Sequence, residues 1–175
     1  MEFTEVLAKK KACREFTDEP VSKDALDQLL RAAKRAPTAS NIPYRHFILV
    51  DDARVIRAVR QMSPSFLANP PAIIVVFTDL RIALECTGRV AQFSSLVDAG
   101  AAGENILLAA TDLGLGSQFT MISHMAGIRK VLGLPDHCRV DLIIPIGHPV
   151  EGARSSKARS GANMVYHNQY GAAYE

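Results

Sequence analysis

Cysteine is scarce in this chain, and the little there is forms no pattern. The 175 residues include Cys13, Cys86 and Cys138, an odd number with no C-x-x-C pair. That argues against a disulfide framework or a thiolate metal site and leads us to expect a reducing cytoplasm. An excess of one charge is also missing. A formal net charge of +2 is too small to indicate nucleic acid or an anionic membrane as partner, so any anion site must be local. Long apolar runs are absent: Ala72–Thr78 and Leu142–Ile146 are strand length, far below the roughly 20 residues that span a bilayer. The start, Met1-Glu2-Phe3-Thr4, lacks the basic-then-apolar run of a signal peptide, which again points to the cytoplasm. There is no H-E-x-x-H, no G-x-S-x-G elbow and no P-loop, and the five histidines are scattered without metal spacing. Gly114-Leu115-Gly116 follows a helical pattern rather than a strand. Phe119 stands where a dinucleotide fingerprint needs its third glycine, so these residues read as a helix cap and turn.

What is present is a soluble globular composition, 48% apolar with nearly balanced charge. Its length suits one domain, and no repeat or linker divides residues 1–175. Phe3, Val6 and Leu7 are spaced for a short amphipathic helix. Ser22 is a candidate N-cap for a second, in which Leu26, Leu29, Leu30 and Ala33 share a face before Pro37. His46–Val50 reads as a strand, Val55, Ile56 and Val59 as a helix, and Ile73–Val76 as a buried strand. The longest helical pattern runs from about Gln92 to Leu113. Its small-sided centre, Asp98 to Gly103, fits either tight packing in one core or a helix–helix subunit interface. Ser117–Met121 reads as a short strand, Ser123–Leu132 as a helix and Arg139–Ile146 as the last strand. The tail, residues 150–175, is polar, has no core pattern, and is expected to pack on a partner subunit.

Three stretches could carry chemistry. Lys9-Lys10-Lys11-Ala12-Cys13-Arg14 is either a solvated basic face or part of an anion site. Arg35 to Tyr44 is either an ordinary connection or a rigid ligand-facing loop, with two prolines limiting its motion and Thr, Ser and Asn offering short polar groups. Lys157-Ala158-Arg159 could point two cations the same way in an extended segment.

Taken in order, these segments resemble the nitroreductase (flavin reductase) family. The family shows an R-R-S-x-R-x-F opening, an A-P-S-x-x-N loop, a small-residue helix ending in L-G-L-G, a strand ending in G-x-P and a late K-x-R. The corresponding text here is Lys10 to Phe16, Ala36 to Asn41, Asn105 to Gly116, Gly147-His148-Pro149 and Lys157-Ala158-Arg159. The resemblance implies an α+β fold: a mixed, mainly antiparallel central sheet flanked by helices, in an intertwined homodimer. It implies FMN between the subunits and NADH or NADPH as reductant. Hydride would pass through flavin N5, in ping-pong fashion, to a small oxidised acceptor such as a nitro compound or quinone. The flavin carries that chemistry, so no catalytic side chain is assigned.

By the same resemblance, Lys10, Lys157 and Arg159 hold the phosphate, with Lys11 and Ala12 beside them. Arg14 faces the N1/O2 edge of the flavin. Pro37, Thr38, Ser40 and Asn41 reach it from the other subunit, and a backbone N–H near Thr120 meets N5. Ala12 stands where the family has serine, which shifts phosphate binding toward Lys10 and Lys11. Ile42-Pro43-Tyr44 replaces the usual x-Q-P-W, so the pocket above the flavin differs. Phe66 and Tyr44 could wall that pocket or belong to the core. Two alternatives remain at this level: the same FMN scaffold used for dehalogenation or dehydrogenation, and a non-catalytic binding protein.

Overall fold

The structure, a computed structural model, describes residues 1–63, 66, 68–120, 122–152 and 165–173. Helices α1 (Phe3–Lys9) and α2 (Lys23–Lys34) open the chain. Ser22 caps α2 by accepting the Ala25 N–H at 3.3 Å. Strand β1 (Arg45–Val50), helix α3 (Ala53–Gln61) and strand β2 (Ala72–Asp79) follow. Then come α4 (Leu80–Thr87), the long α5 (Ala91–Asp112), the two-residue β3 (Gly116–Ser117), α6 (Met125–Leu132) and β4 (Cys138–Gly147).

The strands form one sheet in the order β1-β2-β4-β3, and every pairing between them is antiparallel. The expected α+β class therefore holds. The parallel component of the expected mixed sheet is reduced to an isolated bridge between Ala12 and Ser117. β2 is central and buried on both faces, which is why Ile73-Ile74-Val75-Val76 is a continuous apolar run rather than an alternating one. One side of the sheet packs Ile74, Val76, Ile144 and Ile146 against Leu29, Ile106 and Ala110 of α2 and α5. The other packs Ile73, Val75 and Ile143 against Ile56 and Val59 of α3 and Ile128 of α6.

Three elements differ from the reading of the sequence. α4 was not anticipated, although Asp79 caps it by accepting the N–H groups of Arg81 and Ile82. β3 is shorter than expected because only Gly116 and Ser117 pair with β4. α6 begins two residues late, at Met125 instead of Ser123, and His124 caps it by accepting the Gly127 N–H at 2.9 Å.

The two glycines of α5 answer the packing question separately. A Cβ on Gly103 would meet Leu142 Cδ1 and Phe119 Cε1, both at 2.7 Å, so this glycine serves close packing inside the chain. A Cβ on Gly100 would meet nothing within 4 Å. Gly100 faces outward, in line with Phe93 and Val97, which are 73% and 55% exposed.

Candidate functional site

The opening basic segment is laced into the core by its backbone. Cys13 N–H donates to Ser117 O at 3.1 Å, Thr17 N–H to His148 O at 2.9 Å, and Val150 N–H to Glu15 O at 3.1 Å. Residues 12–17 therefore run between β3 and the turn after β4. Gly116 is obligatory at this crossing, since a Cβ there would sit 2.5 Å from Cys13 Sγ.

A cavity of about 320 Å³ opens beside the crossing, lined by Lys9, Lys11, Ala12, Gly114, Gly116, Pro149 and Gly152 among others. Three of the five segments singled out in the sequence thus meet in one place: the basic opening, the L-G-L-G turn and the G-x-P turn. The volume lies at the lower end of the range for small-molecule sites. Burial raises the pKa of the Cys13 thiol at its edge, which disfavours the thiolate.

The predicted residues are distributed unevenly around this cavity. Lys11 and Ala12 line it. Lys10 instead turns to α5, its Nζ 3.3 Å from Glu104 Oε2. Arg14 is exposed on the segment between Ala12 and Phe16. Lys157 and Arg159 lie outside the described residues, and Gly152, shortly before them in the chain, lines the cavity. Thr120 is buried elsewhere. Its N–H donates to Ile143 O at 3.0 Å, and its Oγ1 has no partner among the described residues. It borders a second cavity of about 420 Å³, together with Leu96, Phe119, Arg139 and Asp141.

The Pro37–Asn41 loop lines neither cavity. It is held far along α5 by an anchor that sequence reading missed. The buried Asp98 carboxylate accepts the Ala39 N–H at 2.8 Å and, through the same oxygen, a short hydrogen bond from the Tyr44 hydroxyl. Arg45 donates to the carbonyls of Ala36, Pro37 and Asp98, each at 2.8 Å. These contacts hold Ser40 and Asn41 at φ of 54° and 55°, left-handed conformations that cost a non-glycine residue roughly 1–3 kcal/mol. The loop is thereby preformed, with Pro37, Ser40 and Asn41 exposed at its tip.

Burial, and then the bond to Asp98, raise the pKa of the Tyr44 hydroxyl. Tyr44 and Phe66 are both buried core residues, and neither lines the first or the second cavity. The one signal for the anchor was Asp98 itself, an acid in the middle of a small-sided apolar helix. From Asp98 to Thr111, which lines the first cavity, the helix rise spans about 20 Å. The loop is thus anchored well before the cavity along α5 and lines no part of it.

A single antiparallel sheet with helices on both faces, and a basic, glycine-lined cavity where the long α5 ends, define a class of cofactor-binding α+β oxidoreductase. The sequence profile of the nitroreductase family matches residues 7–67 and 56–148, and the chain belongs to that family. It is 31% identical over 157 residues to a protein of Archaeoglobus fulgidus that carries the name NADH dehydrogenase/NAD(P)H nitroreductase, covering 85% of this chain and 86% of that one. It is 26% identical over 184 residues to an NADPH-dependent oxidoreductase of Staphylococcus aureus, covering 94% of this chain and 72% of that one. Among solved structures it resembles an FMN-dependent nitroreductase of Clostridium difficile R20291. That match has a TM-score of 0.80 and 28% identity, over 94% of this chain and 98% of that one. No helix among the described residues is long and apolar enough to cross a membrane.

Proposed function

We propose that the protein is an FMN-dependent NAD(P)H oxidoreductase that reduces a small oxidised acceptor, and that it works as a homodimer. The observation that carries this reading is the convergence of the basic opening, the glycine turn and the Pro149 turn on one cavity. The site fits a phosphate-bearing group. It offers cations at its rim and, at Ala12, Gly114, Gly116 and Gly152, backbone with little or no side chain.

In this reading Lys11 and the backbone around Ala12 hold the phosphate end, joined by Lys10, Lys157 and Arg159. Charge-assisted bonds of this kind contribute roughly 1.5–3 kcal/mol each. Without the family's serine hydroxyl, Ala12 contributes only its backbone. Arg14 supplies a cation toward the ring. FMN, when bound, supplies two-electron chemistry, taking hydride from NAD(P)H and passing it to the acceptor.

Since Pro37, Thr38, Ser40 and Asn41 line no part of their own chain's cavity, the loop that covers it is assigned to a second copy. The rigid Asp98 anchor suits that role: a loop that closes a partner's site must be set before the partner arrives. The peptide around Thr120 is assigned to the reacting edge of the ring. Its own N–H is bonded to Ile143, so the contact falls to a neighbouring group of that segment. The tail, residues 150–175, is assigned to the partner's surface, and Val165, Tyr166 and Tyr170 are exposed on its described part. Three free cysteines suit a reducing cytoplasm.

The deciding experiment is an absorbance spectrum of the purified protein after incubation with FMN and desalting. Retained flavin bands that bleach on adding NADH or NADPH are the expected result. Retained flavin that does not bleach would mean a different reaction on the same scaffold. A colourless protein would overturn the assignment.

A further inference from the structure

At the opposite end of β4 from the cofactor cavity, three side chains of metal-ligating type meet. β2 ends at Asp79 and β4 begins at Cys138, and the two residues are paired in register. The Leu80 N–H donates to the His137 carbonyl at 3.0 Å, which carries the pairing one residue further and fixes His137 beside them. His137 Nε2 lies 3.5 Å from Asp79 Oδ2, and one ligand atom from each of Asp79, His137 and Cys138 falls within 4.8 Å of the other two.

The division of labour within Asp79 matters. Its Oδ1 accepts the Arg81 and Ile82 N–H groups and caps α4, which leaves Oδ2 to face His137. Around a tetrahedral zinc ion, bonds of about 2.0–2.3 Å place neighbouring ligand atoms roughly 3.3–3.7 Å apart. The His137–Asp79 separation is already within that range, and a modest swing of the Cys138 side chain would close the third side.

We propose that Asp79 Oδ2, His137 Nε2 and Cys138 Sγ form a three-ligand site for a divalent cation of the zinc class, with a water as fourth ligand. A thiolate, an imidazole and a carboxylate select zinc, cobalt or a similar borderline metal over magnesium or calcium, which take oxygen sets. Cys138 is buried and His137 is partly exposed, so the ion enters from the rim past the imidazole. The competing contact is Arg81 Nη2 on Asp79 Oδ2 at 3.2 Å. That arginine side chain is 68% exposed, and such a surface pair is weak enough to give way. The ten residues of β4 put the site about 30 Å from the cofactor cavity. Its role is therefore structural, stapling the start of α4 to the β2–β4 edge, and the proposal stands independently of the flavin reading.

The test uses full-length protein stripped with chelator and titrated with Co²⁺ under anaerobic conditions, read as a difference spectrum. A thiolate-to-cobalt charge-transfer band in the near ultraviolet, saturating at a single equivalent per chain and displaced by Zn²⁺, is expected. His137→Ala and Cys138→Ala should each abolish the band or weaken binding by more than about tenfold, whereas Cys86→Ala, which removes the exposed thiol, should leave it unchanged. Because His137 is partly exposed, His137→Ala tests the site even if Cys138→Ala fails to fold. Added Zn²⁺ should also raise the Tm of the wild type and not that of His137→Ala. A band that survives both ligand variants, a band lost in Cys86→Ala, or no cobalt binding at large molar excess would each overturn the proposal.

Discussion

Tyr44 shows how much one residue can hold. Its ring is buried, and its hydroxyl donates to the Asp98 carboxylate that also fixes Ala39. Tyr44→Phe keeps the packing and removes the donor, leaving a buried carboxylate with one partner fewer. Hydrogen bonds to charged groups contribute about 1.5–3 kcal/mol, so urea unfolding should show a loss of that size. A change below the error of the measurement would mean that the loop does not depend on this anchor. Asp141 is a second buried acid, with its side chain 1% exposed. It accepts from Thr78 Oγ1 and Arg139 Nε, both at 2.6 Å. Burial pushes its carboxyl above the ordinary carboxylate range, and Thr78 and Arg139 only partly offset this. A raised folded pKa favours the protonated form. The stability linked to it is therefore present below the ordinary value and is lost as pH rises through the folded value. Relative to Asp141→Asn, the wild type should lose stability as pH climbs above the ordinary carboxylate value. A difference between the two that is flat with pH, measured by denaturant titration, would remove Asp141 from this role.

At the scale of elements, what the sequence revealed depended on how local the cause was. α2 announced itself through Ser22 and a four-residue apolar face, and β2 through a β-branched run, because both signals lie inside the element. α4 was missed although Asp79 is a cap and Ala83 a buried core residue. The strand that it follows without a break absorbed the signal. The basic opening and the L-G-L-G turn were legible as motifs, but only the fold shows that they border one cavity and that Lys10 turns away to Glu104. The Asp98 anchor was not legible, since its partners Ala39 and Tyr44 lie 59 and 54 positions away. The same holds for Asp79, His137 and Cys138. Adjacent His and Cys residues carry no metal spacing by themselves, and the third ligand arrives through strand register.

At the scale of the whole molecule, the surface of α5 is incomplete. Val90, Phe93, Leu96 and Val97 are between 49% and 73% exposed. Phe93 and Val97 continue, at helical spacing, into Gly100, which has open space where a Cβ would be. Each large side chain left in water forgoes roughly 1.5–3 kcal/mol of burial, and a second α5 laid along this stripe would recover it. The same association would bring the exposed Pro37–Asn41 tip to a cavity that its own chain holds about 20 Å away along the helix. Surface and site therefore make one demand, so one substitution tests both. Phe93→Glu lies well outside the cavity lining and places a charge in the middle of the stripe. It should convert a species of twice 19.0 kDa into a folded monomer by light scattering. FMN should then be lost on desalting, although every cavity residue of the chain is intact. A folded monomer that keeps its flavin would show that the site is complete in one chain and would remove the reason for the loop to be so firmly anchored.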